Sequence, residues 1–415
     1  MQSISQVGFT DAQILDRLKS GEGRIGPLYQ VVDIAGNVLE TLGTGDAGVI
    51  RGSISMNADN EIKSQISMEM RPVASLTGLV AFQRWIRAIY QLEMPNGQIV
   101  SWRMGDFLWI NPNRSFWRDD ELWEVVLGDR TQLCDYASVP TNGFTAPQSS
   151  SNYASLINQL LGLAGLPQNF SGGNGDTPQT KTWSSTMPRK IANWESQVRM
   201  HQRRGTSYGQ RRAKDIQKKI DQANLTLAPT TLLAIMNELS AFTGVPRTDV
   251  MFSSTNIAQL GYCAPQNILN IGPLFTFDTS WLQSPVETSI YNDTICNRFV
   301  VTSSGSPTLV DANTAYPQHP MRQAVIGRYI DNSAPYPGQI SQTSFGQRAL
   351  RKLMSDYERV SFDAFIHPGV QPYDIVSLHV PGSSEYATPR NLYVRQIEFD
   401  LDTGVMGLQG LRIYV

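Results

Sequence analysis

The sequence predicts an α+β protein with two related antiparallel β-barrel domains, an α/β insertion between them and a small helical insertion in the second. Three observations predict it. Residues 23 to 140 alternate apolar and polar side chains with turn signals between the runs, residues 141 to 285 carry apolar side chains at helical spacing, and alternation returns from 286 to the end. With 415 residues, 41% of them hydrophobic, the chain can bury several cores without disulfide staples.

Each element has its own signal. "TDAQILDRLK" starts a helix with Thr10 as cap and sets Ile14, Leu15 and Leu18 on one face, ending at Gly21. "LYQVVDIAGNVLETL" turns at Ala35-Gly36-Asn37, and "RWIRAIYQLEMPNGQIVSWRMG" alternates before turning at Pro95-Asn96-Gly97. Strands separated by such turns make a small antiparallel barrel or sandwich. "NYASLINQLLGLAG" and "PTTLLAIMNELSAFTG" then read as helices, and "SGGNGDTPQTKTWSSTMPRK" between them as a loop. "SIYNDTICNRFVVTSS" returns to strand, a loop and a helix at 344 to 358 interrupt it, and strands resume from Val360. A faint repeat links the two β regions: "MGDFLWI" followed by "LWEVVLGD", and "PYDIVSLHV" followed by "LYVRQIEFD", with Asp106 and Asp374 as counterparts. It points to two copies of one barrel.

Composition excludes several classes. The chain has 34 basic and 36 acidic residues, a net charge of -2, so no global field marks a nucleic-acid or membrane partner. Cys134, Cys263 and Cys296 are widely spaced and read as reduced, buried residues of a protein assembled in a cytosol. No cationic leader and no run of eighteen apolar residues occurs, so neither a signal peptide nor a membrane span is expected.

Candidate chemistry is sparse. "FIHPGVQPYDIVSLHV" holds His367, Asp374 and His379, but strand parity sends Asp374 and His379 to opposite faces, and the stretch reads as a turn with an aspartate satisfying backbone donors before a strand. "GEGRIG" and "GTGDAG" match a dinucleotide fingerprint without the strand, turn and helix order that aims a helix N-terminus at phosphate. Asp119, Asp120 and Glu121 are contiguous, whereas glycosidase carboxylates face each other at about 5 to 10 Å across a cleft, so a hairpin end is the better reading. No metalloprotease, P-loop or nucleophile-elbow motif occurs, so neither catalytic residues, a metal site nor a cofactor is expected. The unusual charge feature is 189 to 219, with ten basic residues against two acids. It is either a solvated helix or loop, or a surface for phosphate or an acidic partner carried by Arg199, Arg203, Arg204, Tyr208, Arg211, Arg212, Lys214, Lys218 and Lys219.

The series "GVIRGSISMNADNEIKSQISMEM", "WRMGDFLWINPNRSF", "LWEVVLGDRTQLC", "TTLLAIMNELSAFTG", "NRFVV" and "RALRKLMSDYERVSFDAFIHPGVQPYDIVSL" resembles the tail-hub proteins of long-tailed bacteriophages, which are similar to the hub of contractile tails. The resemblance covers most of 48 to 415. It implies a homotrimer whose six barrels approximate sixfold symmetry and sit against the tail tube and the distal tail protein ring. It also implies contact with the tape measure protein and other tip or fibre proteins, and transient contact with DNA in the channel. On that pattern the chain divides into an N-terminal helix and arm at 1–22, a first barrel at 23–140, an α-rich α/β domain at 141–285, a second barrel at 286–310 and 360–415, and a loop and helix insertion at 311–359. The chain stops at "GLQGLRIYV", so the wall-cutting or fibre-bearing extension of many such hubs is not expected. The implied function is a structural virion protein at the tail tip, assembled in the host cytoplasm, that closes the tube and opens for genome ejection. Its rivals are a distal tail or receptor-binding protein and, last, a cell-wall hydrolase.

Overall fold

A computed structural model describes residues 4, 8–44, 48–58, 60, 62–77, 84–109, 113–117, 120–139, 144–146, 153–170, 181–183, 214, 216, 218, 231–240, 249–253, 257–261, 272–290, 298–301, 308–311, 327–330, 342–343, 346–347 and 358–412. Helix α1 (Asp11–Ser20) begins where Thr10 accepts from the Gln13 N–H and the Gln13 side chain reaches back to the Thr10 N–H, a reciprocal cap that satisfies two orphan donors. It ends at Gly21, whose φ of 67° suits glycine. Ile14 and Leu18 face inward, and Lys19 lies over the Trp281 ring at 5.5 Å.

Eight strands follow: β1 (Arg24–Val32), β2 (Val38–Thr44), β3 (Gly48–Asn57), β4 (Ser64–Met70), β5 (Trp85–Glu93), β6 (Ile99–Leu108), β7 (Asn113–Trp117) and β8 (Asp120–Gly128). Their hydrogen-bonded order is β6-β5-β1-β2-β3-β4-β8-β7. The expected turns sit at the β1–β2 and β5–β6 hairpins, where Asp33 takes the Asn37 N–H and Met94 takes the Gly97 N–H. At the first hairpin the Arg87 guanidinium bonds the Gly36 carbonyl at 3.2 Å, and buried Asp106 holds it at 3.0 Å.

The chain forms two compact units, Met1–Gln132 with Gly244–Val415, and Leu133–Thr243. Helix α2 (Arg130–Tyr136) leads into the second unit, which contains β9 (Phe144–Ala146) paired with β10 (Lys181–Trp183), and helices α3 (Tyr153–Leu163) and α4 (Leu232–Ser240) in contact through their apolar faces. Both helices were expected, and Leu156, Ile157, Leu160, Leu232, Ile235, Met236 and Leu239 are buried. Cys134 is buried, as expected, and Cys263 and Cys296 lie outside the described residues.

The return to the first unit differs from the sequence expectation. After a hairpin of β11 (Asp249–Phe252) and β12 (Ala258–Gly261), the second strand group begins with β13 (Thr276–Asp278), ten residues before the expected boundary at 286, because β13 pairs in parallel with β19 (Ile375–His379). The group continues through β14 (Glu287–Ile290), β18 (Glu358–Phe365), β20 (Arg390–Asp400) and β21 (Val405–Arg412), in the order β14-β18-β21-β20-β19-β13. The "NRFVV" strand is not in it. As β15 (Arg298–Val301) it pairs with β16 (Thr308–Asp311) and β17 (Gly327–Ile330) in a separate three-stranded sheet, so the insertion starts after β14 and contains strands as well as helical residues at 342–343 and 346–347. Glu358, where the expected helix was to end, is the first residue of β18.

The two groups join in one sheet. Gln396–Asp400 of β20 pairs antiparallel with Ser53–Asn57 of β3. One core runs through both groups and includes Trp123, Ile54, Phe399, Met406 and Phe362, each packed side chain stabilising by roughly 1.5–3 kcal/mol on transfer from water. The sequence repeat does not map onto equivalent places. Asp106 lies inside β6 between Arg87 and Arg103, while Asp374 precedes β19 and accepts the Gln371 N–H at 2.8 Å. β19 pairs with β20, whereas among the described residues no ladder joins β6 to β8.

Candidate functional site

Because successive strand residues point to opposite faces, pairing across β18, β21, β20, β3, β4 and β8 turns a sequence alternation into a broad surface. Partners in register form a row, Asp363–Gly407–Glu398–Ser55–Gln65–Gly128, which crosses from one strand group to the other. The next row is Phe365–Val405–Asp400–Ser53–Ser67–Val126. Their in-between neighbours, such as Phe362, Met406, Ile397, Ile54, Ile66 and Leu127, form the core beneath. The outward face is mostly serines, glutamines, glycines and carboxylates, with Phe365, Val405 and Val126 as apolar members of its rows. Glu69 and Glu124 extend it, Arg51 pairs with Glu69 at 2.7 Å, and Val126 is an exposed large apolar side chain on it. An acidic, small-residue surface of this kind offers few apolar anchors for a permanent partner.

The stretch "FIHPGVQPYDIVSLHV" does not assemble a reaction centre. His367 is wholly buried among Phe275, Phe277 and Trp281, with ring centroids at 4.4, 6.5 and 5.9 Å, and neither ring nitrogen has a hydrogen-bond partner. Burial lowers its pKa to about 4, so it is neutral at pH 7. His379 sits elsewhere, with Nε2 at 3.2 Å from the Ala387 carbonyl. Burial raises the Asp374 carboxyl, and its bond to the Gln371 N–H is the backbone-satisfying role expected of it.

Other candidates separate in the same way. Trp117 and Asp120 pair at the end of the β7–β8 hairpin, and the Glu121 carboxylate takes the Trp123 indole N–H at 2.6 Å; Asp119 lies outside the described residues. "GEGRIG" runs from the α1 cap into β1, with Gly23 at φ 75° where a Cβ would meet the Glu93 carbonyl at 2.2 Å. Among the described residues no three His, Cys, Asp or Glu side chains are grouped to hold a metal, and no helix is long and apolar enough to cross a membrane. In the basic segment, Lys214 and Lys218 are exposed in helical conformation and Ile216 between them is buried. Arg199, Arg203, Arg204, Tyr208, Arg211, Arg212 and Lys219 lie outside the described residues.

Sequence reasoning missed two features. The six-strand polar face had a signal, the alternation along much of β3, β4, β8, β18 and β20, but register alone assembles it. The second is a niche beside Asp129 with mainly apolar walls, whose residues, Ser64, Phe107, Phe252 and Gln371 among them, are far apart in the chain.

No protein-family model matches the chain, and no curated protein matches it. Solved structures do. A tail protein from Neisseria meningitidis MC58 superposes with a TM-score of 0.57 at 11% identity, over 93% of this chain and 96% of that one. The 43 kDa tail protein of prophage MuSo2 from Shewanella oneidensis superposes with a TM-score of 0.54 at 8% identity, over 93% of this chain and 98% of that one. At such identities the likeness concerns the fold alone.

Proposed function

We propose that this chain is a structural protein of a phage tail and acts as a trimeric hub at the distal end of a siphophage tail. The carrying observation is the β3–β20 ladder, which sets two strand groups of one chain side by side in a continuous sheet. Three copies would present six such groups to a sixfold tube. On this reading each group is a barrel, the partners are the distal tail protein ring, the tape measure protein and tip or fibre proteins, and the protein resides at the tail tip after assembly in the host cytoplasm.

The mechanism is mechanical. The ring holds the tube closed and then opens for the tape measure and DNA. The six-strand face suits the channel wall: Asp363, Glu398, Asp400, Glu69 and Glu124 repel phosphate, and the serines and glycines give a passing polymer nothing to lodge against. The basic segment, with Lys214 and Lys218 on its exposed side, docks the tape measure protein or touches DNA in passing.

The mass of the intact purified assembly tests the reading. Three copies support it. A stable monomer sinks it, and six copies or a demonstrated affinity for host glycan transfers the chain to a distal tail or receptor-binding role. Clearing of host cell walls by the purified chain would revive the hydrolase reading. Arginine-to-glutamine changes across 189–219 that leave assembly and ejection normal would remove that segment from the mechanism.

A further inference from the structure

The six-strand polar face is the middle of a longer run, β14-β18-β21-β20-β3-β4-β8-β7, whose seven ladders are all antiparallel and lie within the first unit. The β3–β20 ladder divides the run into two quartets, one from each strand group. Both ends of the run are open edges. Among the described residues β14 pairs only with β18 and β7 only with β8, so each leaves a row of backbone donors and acceptors with no strand beside it. The two edges are short, with four and five residues, yet no bulge, proline or lysine guards either of them. Glu287, Thr288 and Ser289 of β14 are exposed.

We propose that these two edges meet between copies of this chain, β7 of one adding antiparallel to β14 of the next in a head-to-tail seam. The inference rests on the trimeric-hub reading and names the contact that builds its ring. Symmetry argues for two different edges, because a threefold ring needs two complementary patches on each copy, whereas β14 against β14 would close a pair. Strand sense agrees. Eight alternating strands leave the first and last running in opposite directions, so an antiparallel seam carries the alternation from copy to copy, which an odd number would break. Spacing agrees as well. Within the chain β3 and β20 join quartet to quartet, and a β7–β14 seam repeats that junction, so three copies hold six quartets in one sheet. The faces also match. Glu287 and Ser289 stand opposite Ser361 and Arg359, on either side of the core residue Val360, and so take the outward positions of β14. Asn113 and Ser115 stand opposite Glu124 and Leu122, on either side of the buried Trp123, and take the outward positions of β7. The register that keeps these faces together and engages all four residues of β14 sets Ser289 opposite Ser115. Main-chain bonds give such a seam its affinity and the matched faces give it its register.

The test uses the full chain carrying Ser115→Cys and Ser289→Cys together, read by native mass and on a non-reducing gel with the wild-type chain as control. Directly opposed strand residues stand about 4.5–5.5 Å apart at Cα, within reach of a disulfide. The expected result is a trimer whose three copies become covalently joined in the double variant and in neither single variant. Ser115→Lys with Ser289→Lys should raise the concentration for half-assembly roughly tenfold, because like charges then face each other at every seam, and Ser115→Lys with Ser289→Glu should restore it. A trimer that neither cross-links nor responds to the paired lysines overturns the seam and leaves the hub reading standing. Covalent assemblies of six copies keep the seam and sink the trimer. A stable monomer overturns both, and a covalent dimer from Ser289→Cys alone overturns the head-to-tail pairing. If the cysteine pair does not fold, the lysine and glutamate variants decide it.

Discussion

His367 and Asp129 titrate against each other, and replacing either should expose the other. Burial lowers His367 from 6.5 to about 4, so as pH falls through that window the unfolded chain takes up a proton that the folded chain refuses, and stability falls. Burial raises Asp129 from 3.8 to about 6, so there the folded chain binds the proton first, and stability rises as pH falls from 6 toward 3.8. At about 1.4 kcal/mol per pKa unit, each shift is worth on the order of 3 kcal/mol, with opposite signs over nearly the same range. For these two groups the wild-type profile is therefore nearly flat between pH 4 and 6. His367→Phe, whose ring suits the surrounding Phe275, Phe277 and Trp281, removes the acid penalty. Between pH 6.5 and 4 it should gain about 3 kcal/mol relative to wild type by urea unfolding, and Asp129→Asn should lose a similar amount. Taking each variant's change with pH against wild type cancels the other carboxyls. If His367→Phe runs parallel to wild type across the window, or the imidazole titrates near 6.5 by NMR, the burial argument is wrong.

Close approach gives a second prediction. A Cβ on Gly52 would lie 2.2 Å from the hydroxyl of buried Tyr29, so Gly52→Ala should cost about 1–3 kcal/mol in thermal unfolding, and Tyr29→Phe should recover part of it in a double-mutant cycle. Tyr29→Phe alone should be neutral or slightly stabilising, because the hydroxyl it removes is buried without a hydrogen-bond partner. Arg412→Met should destabilise by about 3–5 kcal/mol in urea, since it strips the guanidinium from buried Glu358 and leaves the Tyr386 hydroxyl to satisfy that carboxylate. Glu358→Gln in the same background should restore much of the loss. Reversing the charge of the six-strand face with Glu398→Lys should leave folding intact, because Glu398 is exposed, and should slow DNA ejection from assembled tails.

What the sequence makes legible is what short-range chemistry determines. Thr10 and Gln13 cap α1 and Gly21 ends it because those residues satisfy or release the backbone on the spot. The hairpin at Asp33–Asn37 forms for the same reason, through the aspartate beside it. The strands that escaped notice, β13 with three residues and β16 and β17 with four each, are too short to carry a period, and their partners decide them. The backbone-bonding role of Asp374 was legible because its partner, the Gln371 N–H, is three residues away. The match between Asp106 and Asp374 failed because spacing in the chain says nothing about Arg87 and Arg103, which take the first aspartate into an ion-pair cluster.

The functional surfaces divide along the same line. The polar face is written in each strand as every second residue, yet it becomes a surface only when register aligns Glu398 with Ser55 and Ser55 with Gln65. The Asp129 niche has no local trace at all, for Ser64, Asp129, Ser253 and Gln371 meet only after the strands between them have paired. Its residues are also the more constrained. A serine on the open face can become threonine or glutamine with water still beside it, whereas a change at Asp129 must answer to the α2 cap, to Ser64 and to Lys63 together. Substitutions should therefore be tolerated widely on the face and less readily at Asp129, whose buried carboxylate and N–H are bonded to Thr131 and Ser64.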